Sequence, residues 1–319
     1  MGAFRLCSPI SGCRDRGNMP CDFAYFVMPM KATRLARSGC GYSAMRRSAL
    51  ETAILGERAG APIVAIAWAH ATFNPWIGCM RVSPACDRCY AAAIAKRFGW
   101  RENEGRDLWD VHAERKRTSE AYWRGPLCWN RDALAAGERR RVFCASMADI
   151  FDNHAPAAWR MDLWDLIRTT PALIWVLLSK RPQNAPAMLP LDWDHGWPNV
   201  WLGTTVENNL EAARRIPHLA GIPAALRFLS VEPLLEAVDL APWLGKLHWV
   251  ICGGESGAGA RPTQPDWVRN LRDQVHAAGA KLFVKQLGSN RTAWPSIKHP
   301  RGENPAEWPE DLRVQQIPG

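Results

Sequence analysis

The sequence predicts an α/β fold in which parallel strands and helices alternate along the chain. Six apolar runs start 23 to 32 residues apart, which is the length of a strand, a helix and two loops. Amphipathic stretches such as 157–169 and 266–277 lie between the runs, and fully apolar strands fit a sheet buried on both faces. We therefore expect a full or partial (β/α) TIM-like barrel of parallel strands, with an irregular N-terminal extension. The six runs begin at Val142, Ile174, Val200, Leu226, Trp249 and Lys281.

Three regions are expected along the chain. Residues 1–60 have four cysteines and no sustained strand or helix period, which predicts a poorly ordered extension, or a true translation start at Met30 or Met45. The barrel domain is expected over residues 61–290, and a C-terminal tail over residues 291–319.

Composition and charge set broad limits on function. The chain has 319 residues, of which 47% are hydrophobic, and this suffices for a large core. No apolar run reaches the roughly 18 to 20 residues of a membrane span, and no signal peptide is recognisable, so no membrane partner is expected. Ten cysteines without an export signal indicate the reducing cytoplasm. The net charge of +9 favours a polyanionic partner, although ordinary soluble proteins also reach this value.

A loop with three cysteines follows the first predicted strand. The apolar run 63–69 predicts that strand, and Cys79, Cys86 and Cys89 follow it in a C-x6-C-x2-C spacing. Three thiolates leave a metal one protein ligand short of a tetrahedron, so a small molecule can take the open position. Three interpretations are open: unliganded thiols, a zinc site completed by a distant Cys or His, and an iron–sulfur cluster, which we favour.

Each predicted strand ends in polar residues. Ligands bind at the carboxyl ends of the strands in barrels, so these residues and the cysteine loop should face one mouth, although strands also end in polar residues wherever they meet water. In the run Gly253-Gly254-Glu255, the two glycines allow a close approach of the backbone to a ligand, and the carboxylate can pair with an ammonium group. The other candidates at strand ends are Ser146, Asp149, Lys180, Arg181, Glu207, Glu232 and Lys285.

Several motifs together resemble a known family. A three-cysteine loop followed by repeated βα units resembles the radical S-adenosylmethionine enzymes. The full set is more closely similar to the phage-associated three-cysteine-motif proteins, a family of unknown function often found in phages and prophages. The resemblance covers roughly residues 64–290. The segments that carry it are NPWIGC, VSPACDRCYA, VFCASMADIFD, LSKR, WPNVWLGTTVE, RFLSVEPLL, GGESGAGARP and FVKQLG.

The resemblance implies a [4Fe–4S] cluster on Cys79, Cys86 and Cys89, whose fourth iron binds S-adenosylmethionine. Reduction by an electron donor such as flavodoxin or ferredoxin would then cleave this cofactor to a 5′-deoxyadenosyl radical that abstracts hydrogen. Two features depart from the radical enzymes, whose usual spacing is C-x3-C-x2-C and whose GGE usually follows the second strand. Here the GGE follows about the sixth strand, so Ser146 and Asp149, at the second, are alternative partners for the methionine ammonium.

Nucleic acid is the hypothesised substrate, to be modified or repaired. The basic runs 115–117 and 139–141 offer positive charges for phosphates, and Trp76 in the cysteine loop offers an indole face for stacking on a base. The further candidate substrate contacts are Lys180, Arg181, Glu207, Glu232 and Lys285.

Two rival functions from other classes are open. The first is a non-enzymatic nucleic-acid-binding protein with a structural zinc on the three cysteines plus His70 or His112. The second is a metal-free hydrolase or transferase that uses Asp149, Glu232 and Glu255 as acid and base. Metal analysis separates the first rival from the cluster, and replacement of the cysteines tests the second.

Overall fold

The structure is a computed structural model that describes residues 66–319, so the interpretation of residues 1–60 lies outside the described residues. Seven strands form one parallel sheet that curls into a half-barrel, and two short strands form a separate antiparallel ribbon. The strands are β1 (Ala71–Phe73), β2 (Trp76–Ile77), β3 (Lys116–Arg117), β4 (Arg140–Cys144), β5 (Leu173–Ser179), β6 (Val200–Thr205), β7 (Leu226–Val231), β8 (Trp249–Gly253) and β9 (Lys281–Gln286).

The order of the strands in the sheet is β1-β4-β5-β6-β7-β8-β9, and β2 pairs with β3 in the ribbon. Each strand of the sheet therefore lies beside the next one along the chain, which is the arrangement of a (β/α) barrel. All six apolar runs that predicted strands form strands of this sheet. The predicted barrel class is confirmed, in its partial form.

The first strand begins later than predicted. Strand β1 starts at Ala71, whereas the apolar run that predicted it ends at residue 69. The backbone from Ile66 to Ala69 instead forms a turn, closed by a hydrogen bond from Ala69 N to Ile66 O. Trp68, at this turn, packs its buried indole into the interior of the half-barrel. The strand prediction was wrong for residues 66–69, because an apolar segment that packs inside a barrel has the same composition as a buried strand. Residues 63–65 of the predicted strand lie outside the described residues.

Six α-helices lie in the described part of the chain. They are α1 (Tyr90–Arg97), α2 (Glu120–Trp123), α3 (Gly125–Ala136), α4 (Ala157–Arg168), α5 (Asn209–Ala220) and α6 (Pro265–Ala277). Helix α1 packs beside the cysteine loop, and the outer face of the sheet is covered by later helices such as α4 and α5. Helix α5 begins where the Asn208 side chain accepts a hydrogen bond from Glu211 N, which is an N-cap. Two crossovers have no α-helix: a 3-10 turn at Pro182–Ala187 connects β5 to β6, and another at Leu244–Lys246 connects β7 to β8.

Two apolar layers lie on opposite faces of the sheet. On the outer face, strand residues such as Leu177 and Leu202 pack against Leu163 and Ile216 of the helices. The inner face carries mainly large rings, which fill the half-barrel: Trp68, Phe143, Trp201, Phe228, Trp249 and Phe283. Position 203, also on this face, requires a glycine because a Cβ there would come within 2.5 Å of the Phe228 ring. The strands are thus apolar throughout because both faces are covered.

The C-terminal segment adds an edge to the sheet. Val284 N donates to Val314 O, and Gln316 N donates to Leu282 O, each over 2.8 Å, so the segment runs antiparallel to β9. Trp294 and Trp308 of this segment are buried in the outer core. None of the helices in the described part of the chain has the length and hydropathy that a membrane span requires.

Candidate functional site

The cysteine loop, residues 78–90, lies over the carboxyl ends of the sheet strands, as the sequence predicts. Ala85 N donates to Oε1 of Glu207, just after β6, over 3.1 Å. The Tyr90 hydroxyl donates to the backbone oxygen of Ser146, just after β4, over 2.6 Å. Arg181, just after β5, donates from Nη2 to the backbone oxygen of Met80, in the loop, over 2.7 Å.

Two further arginines connect the loop to the end of β8. Arg88 Nη1 lies 3.4 Å from Oε2 of Glu255, and Arg261 donates to Pro84 O over 2.9 Å. Together with the contacts to β4, β5 and β6, this fixes the loop across four strand ends. The three cysteines are therefore held at the mouth of the half-barrel by contacts that are up to 177 residues apart in sequence.

Local geometry positions the loop. Gly78 has φ of 111°, and a Cβ there would come within 2.9 Å of Leu108 O, so the turn into the loop requires glycine. A 3-10 turn at Pro84–Cys86 then reverses the chain, and α1 begins directly after Cys89. The three thiols therefore come from an irregular stretch directly after Gly78, a 3-10 helix and the N-cap of an α-helix.

The thiols have different surroundings. Arg181 donates from Nη1 to Cys79 Sγ over 3.5 Å. Burial raises the pKa of Cys79 to about 11, and the charge of Arg181 opposes that rise. Cys86 and Cys89 are partly exposed, and Ser83 Oγ lies 4.0 Å from Cys86 Sγ.

The cysteine loop fits an iron–sulfur cluster in ligand chemistry. Its three cysteines are free thiols, and a guanidinium points at one of them, which suits an anionic thiolate. Their sulfurs are not gathered into a formed site, since residues 66–319 contain no group of three or more His, Cys, Asp or Glu side chains arranged for one ion. The ligand types are therefore present at the mouth.

Asp149 does not have a free oxygen for a ligand ammonium. Its Oδ1 accepts from Ser179 Oγ over 2.6 Å and from Phe151 N over 3.0 Å. Its Oδ2 accepts from Lys180 N over 2.9 Å and from Arg181 Nη1 over 3.0 Å. Asp149 is also buried, so its role is to organise the end of β5, and the predicted contact with a cofactor is not supported. The hydroxyl of Ser146, its predicted companion, lies 3.2 Å from Asn74 Oδ1.

Glu255 is likewise engaged within the protein. Arg261 donates to Oε2 from its backbone N over 2.8 Å and from Nε over 2.9 Å, and it also bonds to Oε1. Burial opposes ionisation of Glu255, but the hydrogen bonds and charge of Arg261, with the charge of Arg88, hold its pKa below the ordinary value. Glu255 is therefore an anionic anchor for two arginines of the site.

The glycines before Glu255 have a packing role. A Cβ on Gly254 would lie 2.7 Å from Leu287 O and 2.8 Å from the backbone of Gly288. A Cβ on Gly253 would lie 3.1 Å from the side chain of Glu232. The close approach that the sequence predicted does exist, but the partner is the protein's own chain after β9.

Trp76 does not offer a stacking surface. Its indole has no exposed area, and its ring centroid lies 6.4 Å from that of Trp159. Trp76 belongs to β2, whose pairing with β3 turns it into the core, so the predicted contact with a base was wrong. Arg115, in the first basic run, is also buried, with Nε 2.7 Å from Asp152 Oδ2, and cannot contact a phosphate at the surface.

Five polar side chains line the inner face just above the rings, and we name them the inner polar layer: Lys180, Thr205, Ser230, Glu232 and Lys285. Alternate residues of a strand share a face, so Thr205 follows Trp201 and Gly203 on the inner face, and Lys180 follows Leu178. Thr205 pairs in register with Ser230 of the next strand.

The inner polar layer keeps unused bonding groups. Glu232 and Lys285 form an ion pair of 2.6 Å in which each side chain is about one-fifth exposed, and only Oε1 of Glu232 takes part. Thr205 Oγ1 is buried without a hydrogen-bond partner within the described part of the chain. Lys180, Glu232 and Lys285 were predicted from their positions at strand ends; the importance of Thr205 was missed, because only its pairing shows that its hydroxyl has no partner.

A cavity of about 640 Å³ opens at the rim of the mouth, beside the cysteine loop. It is lined by the segment after Glu255, including Gly257 and Gly259, and by seven residues of the segment 289–297. The Cβ position of Gly259 lies 3.5 Å from Arg88 Nε, so the cavity borders the loop.

The two histidines that were proposed as zinc ligands do not form a metal-binding group with the three thiols within residues 66–319. His70 precedes β1, whereas the cysteines follow it, and His70 Nδ1 accepts a hydrogen bond from Arg141 N over 2.9 Å at the start of β4. His70 is therefore at the opposite end of the sheet. Neither His70 nor His112 belongs to a metal-binding group in the part of the chain that the structure describes.

Residues 64–308 match the family model described as "Protein of unknown function (DUF5131)". Searches of curated proteins and of solved structures gave no significant match. The family match covers the cysteine loop, every strand of the half-barrel and the buried Trp308 of the C-terminal segment. On this match, the chain belongs to the DUF5131 family, whose function is unknown.

Proposed function

We propose that this chain is a radical-SAM-like enzyme that holds a [4Fe–4S] cluster on Cys79, Cys86 and Cys89 and binds S-adenosylmethionine at the mouth of the half-barrel. The observation that supports this most is the attachment of the cysteine loop across the ends of β4, β5, β6 and β8. Ligands of barrel enzymes bind at this end of the strands. When bound and reduced, the cluster would supply the electron that cleaves S-adenosylmethionine for abstraction of hydrogen, with flavodoxin or ferredoxin as the type of donor.

The residues of the chain have distinct tasks in this proposal. The guanidinium of Arg181 stabilises negative charge on the Cys79 sulfur, and Asp149 holds that guanidinium in place. Glu207 fixes the loop through Ala85 N, and Glu255 fixes it through Arg88. Because both carboxylates already bind groups of the protein, we assign the binding of S-adenosylmethionine to the inner polar layer.

The inner polar layer suits a zwitterionic ligand end such as that of S-adenosylmethionine. Glu232 presents Oε2 for an ammonium group, and Lys180 and Lys285 present ammonium groups for a carboxylate. Thr205 and Ser230 add hydroxyls between them. The rings below, such as Phe228 and Trp249, exclude water from that side.

The substrate is a separate part of the proposal. The net charge of +9 supports an anionic substrate, and we retain nucleic acid as its class. Because Trp76 and Arg115 are buried, this part depends on charge alone. Filter binding with DNA and RNA at increasing salt tests it: a salt-dependent affinity is expected, and no affinity at low salt would remove nucleic acid from the proposal.

Anaerobic reconstitution with iron and sulfide tests the cluster. We expect a brown protein with about four irons per chain, which forms 5′-deoxyadenosine when S-adenosylmethionine and dithionite are added. Cys86→Ser and Cys89→Ser should lose the iron, whereas Cys128→Ser, a partly exposed cysteine outside the loop, should keep it. Colourless, iron-poor protein would contradict the proposal, and one zinc per chain would favour a structural metal.

A further inference from the structure

The cavity at the rim of the mouth, which we name the rim cavity, has walls without negative charge. Three of its lining residues come from the segment after β8, and seven come from the segment after β9. None of these ten residues, all within residues 66–319, is Asp or Glu, and the charged member is Arg291. Glu255, which comes shortly before the first segment, is already paired with Arg261. The rim cavity therefore suits an anion and offers no carboxylate to a cation.

Arg291, which lines the rim cavity, keeps one edge of its guanidinium unused. Its Nη1 donates to Lys298 O over 2.7 Å and lies 3.5 Å from Ile297 O, which holds the side chain in place. Its Nε and Nη2 have no hydrogen-bond or ion-pair partner among residues 66–319, and the side chain is exposed to solvent. The pair of Nε and Nη2 forms the planar fork with which arginine binds a carboxylate or a phosphate through two hydrogen bonds.

Two further donors belong to residues of the same lining. The Ser289 hydroxyl accepts a hydrogen bond from Gly257 N over 3.0 Å, which leaves its own hydrogen to donate. The N–H of Gly259 has no hydrogen-bond partner in the described part of the chain. Gly257 and Gly259 have positive φ of 105° and 69°, and backbone N–H groups in such turns commonly bind anions. Arg291, Ser289 and Gly259 thus bring donors from two chain segments to one cavity.

The rest of the lining is mainly apolar and includes Trp294, Pro295 and Ile297. Trp294 is fixed by a hydrogen bond from its Nε1 to Thr263 O over 2.7 Å. An inorganic anion makes no use of this apolar part, whereas a phosphate ester has an organic group that can cover it. The rim cavity is also broadly open to solvent, so a long ligand can continue beyond it.

We propose that the rim cavity binds the phosphate group of a phosphate ester, with Nε and Nη2 of Arg291 on two of its oxygens. Ser289 and Gly259 donate to the same group. A phosphate presents three acceptor oxygens that do not lie in one plane, so it can serve the planar fork and the other donors together. Two sources share this chemistry, a phosphodiester of nucleic acid and the phosphate of a free nucleotide. For the first source, the inference rests on the proposed function.

A ligand in the rim cavity lies beside the cysteine loop. Arg88 Nε is 3.5 Å from the Cβ position of Gly259, and Arg88 directly precedes Cys89 in the loop. Arg88 is also held at this place by Glu255, whose Oε2 lies 3.4 Å from Arg88 Nη1. The organic group attached to the phosphate can therefore extend from the rim toward the mouth of the half-barrel.

Binding measurements on the full chain without iron test the proposal. Fluorescence anisotropy uses labelled single-stranded DNA and RNA of mixed sequence, each about ten nucleotides long. Isothermal titration calorimetry uses the common nucleoside 5′-monophosphates and the matching nucleosides, which lack the phosphate. Binding of an oligonucleotide without binding of any monophosphate assigns the site to nucleic acid. Binding of a monophosphate assigns it to a nucleotide, and the matching nucleoside should then bind at least about tenfold more weakly.

Arg291→Gln is the diagnostic variant, since Arg291 is exposed and has no carboxylate partner among residues 66–319. It should weaken binding by about tenfold, and the slope of log K against log salt for single strands should become shallower by about 0.7, because one phosphate contact is lost. Arg168→Gln removes the same charge at the C-terminal end of α4, just before β5 begins and away from the mouth. It should leave the affinity and the slope unchanged.

A measurement on the wild type covers the case in which Arg291→Gln does not fold. Phenylglyoxal modifies exposed arginines, and mass spectrometry reports the modification of each one. A probe that binds should protect Arg291 from this reagent, whereas Arg168 should react as fast as it does in the free protein.

Four results would overturn the proposal. They are no binding of any probe to the wild type, a nucleoside that binds as tightly as its monophosphate, equal affinity and salt slope for Arg291→Gln and the wild type, and no protection of Arg291 by a probe that binds. If oligonucleotides bind but the last two results are found, the rim cavity is not the site, while nucleic acid stands as the substrate class. Iron content is a separate readout, so failure here is distinct from failure of the proposed cluster.

Discussion

The backbone N–H of Ala85 donates to Oε1 of Glu207 over 3.1 Å, although 122 residues separate them in the sequence. Glu207 has no exposed area, and its Oε2 accepts from Arg215 Nη1 over 2.8 Å. One buried carboxylate thus joins the cysteine loop, the end of β6 and helix α5.

Removal of this carboxylate should destabilise the protein and release the loop. Glu207→Ala is expected to lower the free energy of unfolding by about 3 kcal/mol, because it leaves the buried Arg215 with Glu211 as its remaining ion-pair partner and Thr205 O as a backbone acceptor. Urea denaturation measures this, and hydrogen exchange at the Ala85 amide should become faster. Glu236→Ala, an exposed carboxylate that accepts from Asn209 N, should cost about 1 kcal/mol or less. Equal losses in the two variants would show that Glu207 is not a special anchor.

Glu255 should make stability depend on pH in the acidic range. Its folded-state pKa is below the unfolded value of about 4.3, so its contribution is present above that value and is lost as the pH falls through the folded-state pKa. Glu255→Gln should therefore be less stable than the wild type at pH 7, by about 1.5 to 3 kcal/mol for the charged hydrogen bonds to Arg261. The difference should shrink as the pH falls below about 4.

Urea titrations of the wild type and Glu255→Gln at pH 7, 5 and 3.5 measure this dependence. Glu138→Gln, which removes an exposed partner of Arg140, is the control and should have little effect at any of these values. A difference between the wild type and Glu255→Gln that stays constant with pH would mean that Glu255 is not held ionised by its arginines.

Gly254 should tolerate no side chain. Gly254→Ala places a methyl group 2.7 Å from Leu287 O, a backbone atom that cannot move alone, and should cost about 2 kcal/mol in the free energy of unfolding. Gly245→Ala, where nothing lies within 4 Å of the new methyl group, should stay within about 0.5 kcal/mol of the wild type. Thermal or urea unfolding compares them. A neutral Gly254→Ala would reopen the idea that the glycines serve a ligand.

Much of the scaffold could be predicted from local pattern. The six apolar runs became strands because a strand buried on both faces needs apolar residues throughout, whatever its neighbours are. The mouth could also be predicted, since parallel strands put all their carboxyl ends at one side. The first strand was misplaced because composition alone does not distinguish an apolar turn that packs inside the barrel from a buried strand. Trp76 was misplaced because composition alone does not distinguish a buried two-stranded ribbon from an exposed loop.

The role of each individual residue at a strand end could not be predicted in the same way. Asp149, Glu207, Glu232 and Glu255 all follow strands and are equivalent in sequence pattern. Asp149 has four donors around it, Glu207 and Glu255 hold arginines and the loop, and Glu232 keeps one oxygen unused. These differences arise from the donors that folding brings to each carboxylate, which range from Phe151, two residues from Asp149, to Ala85, 122 residues from Glu207.

The sequence by itself determined the parallel α/β sheet, its chain-order succession of strands and the presence of three thiols on one loop, because these follow from periodicity and spacing within short segments. Only the tertiary structure decided which polar groups are already satisfied and which stay open, among them Thr205 and Arg291. A hydrogen bond needs both partners in place, and here the partners come from segments that folding alone brings together.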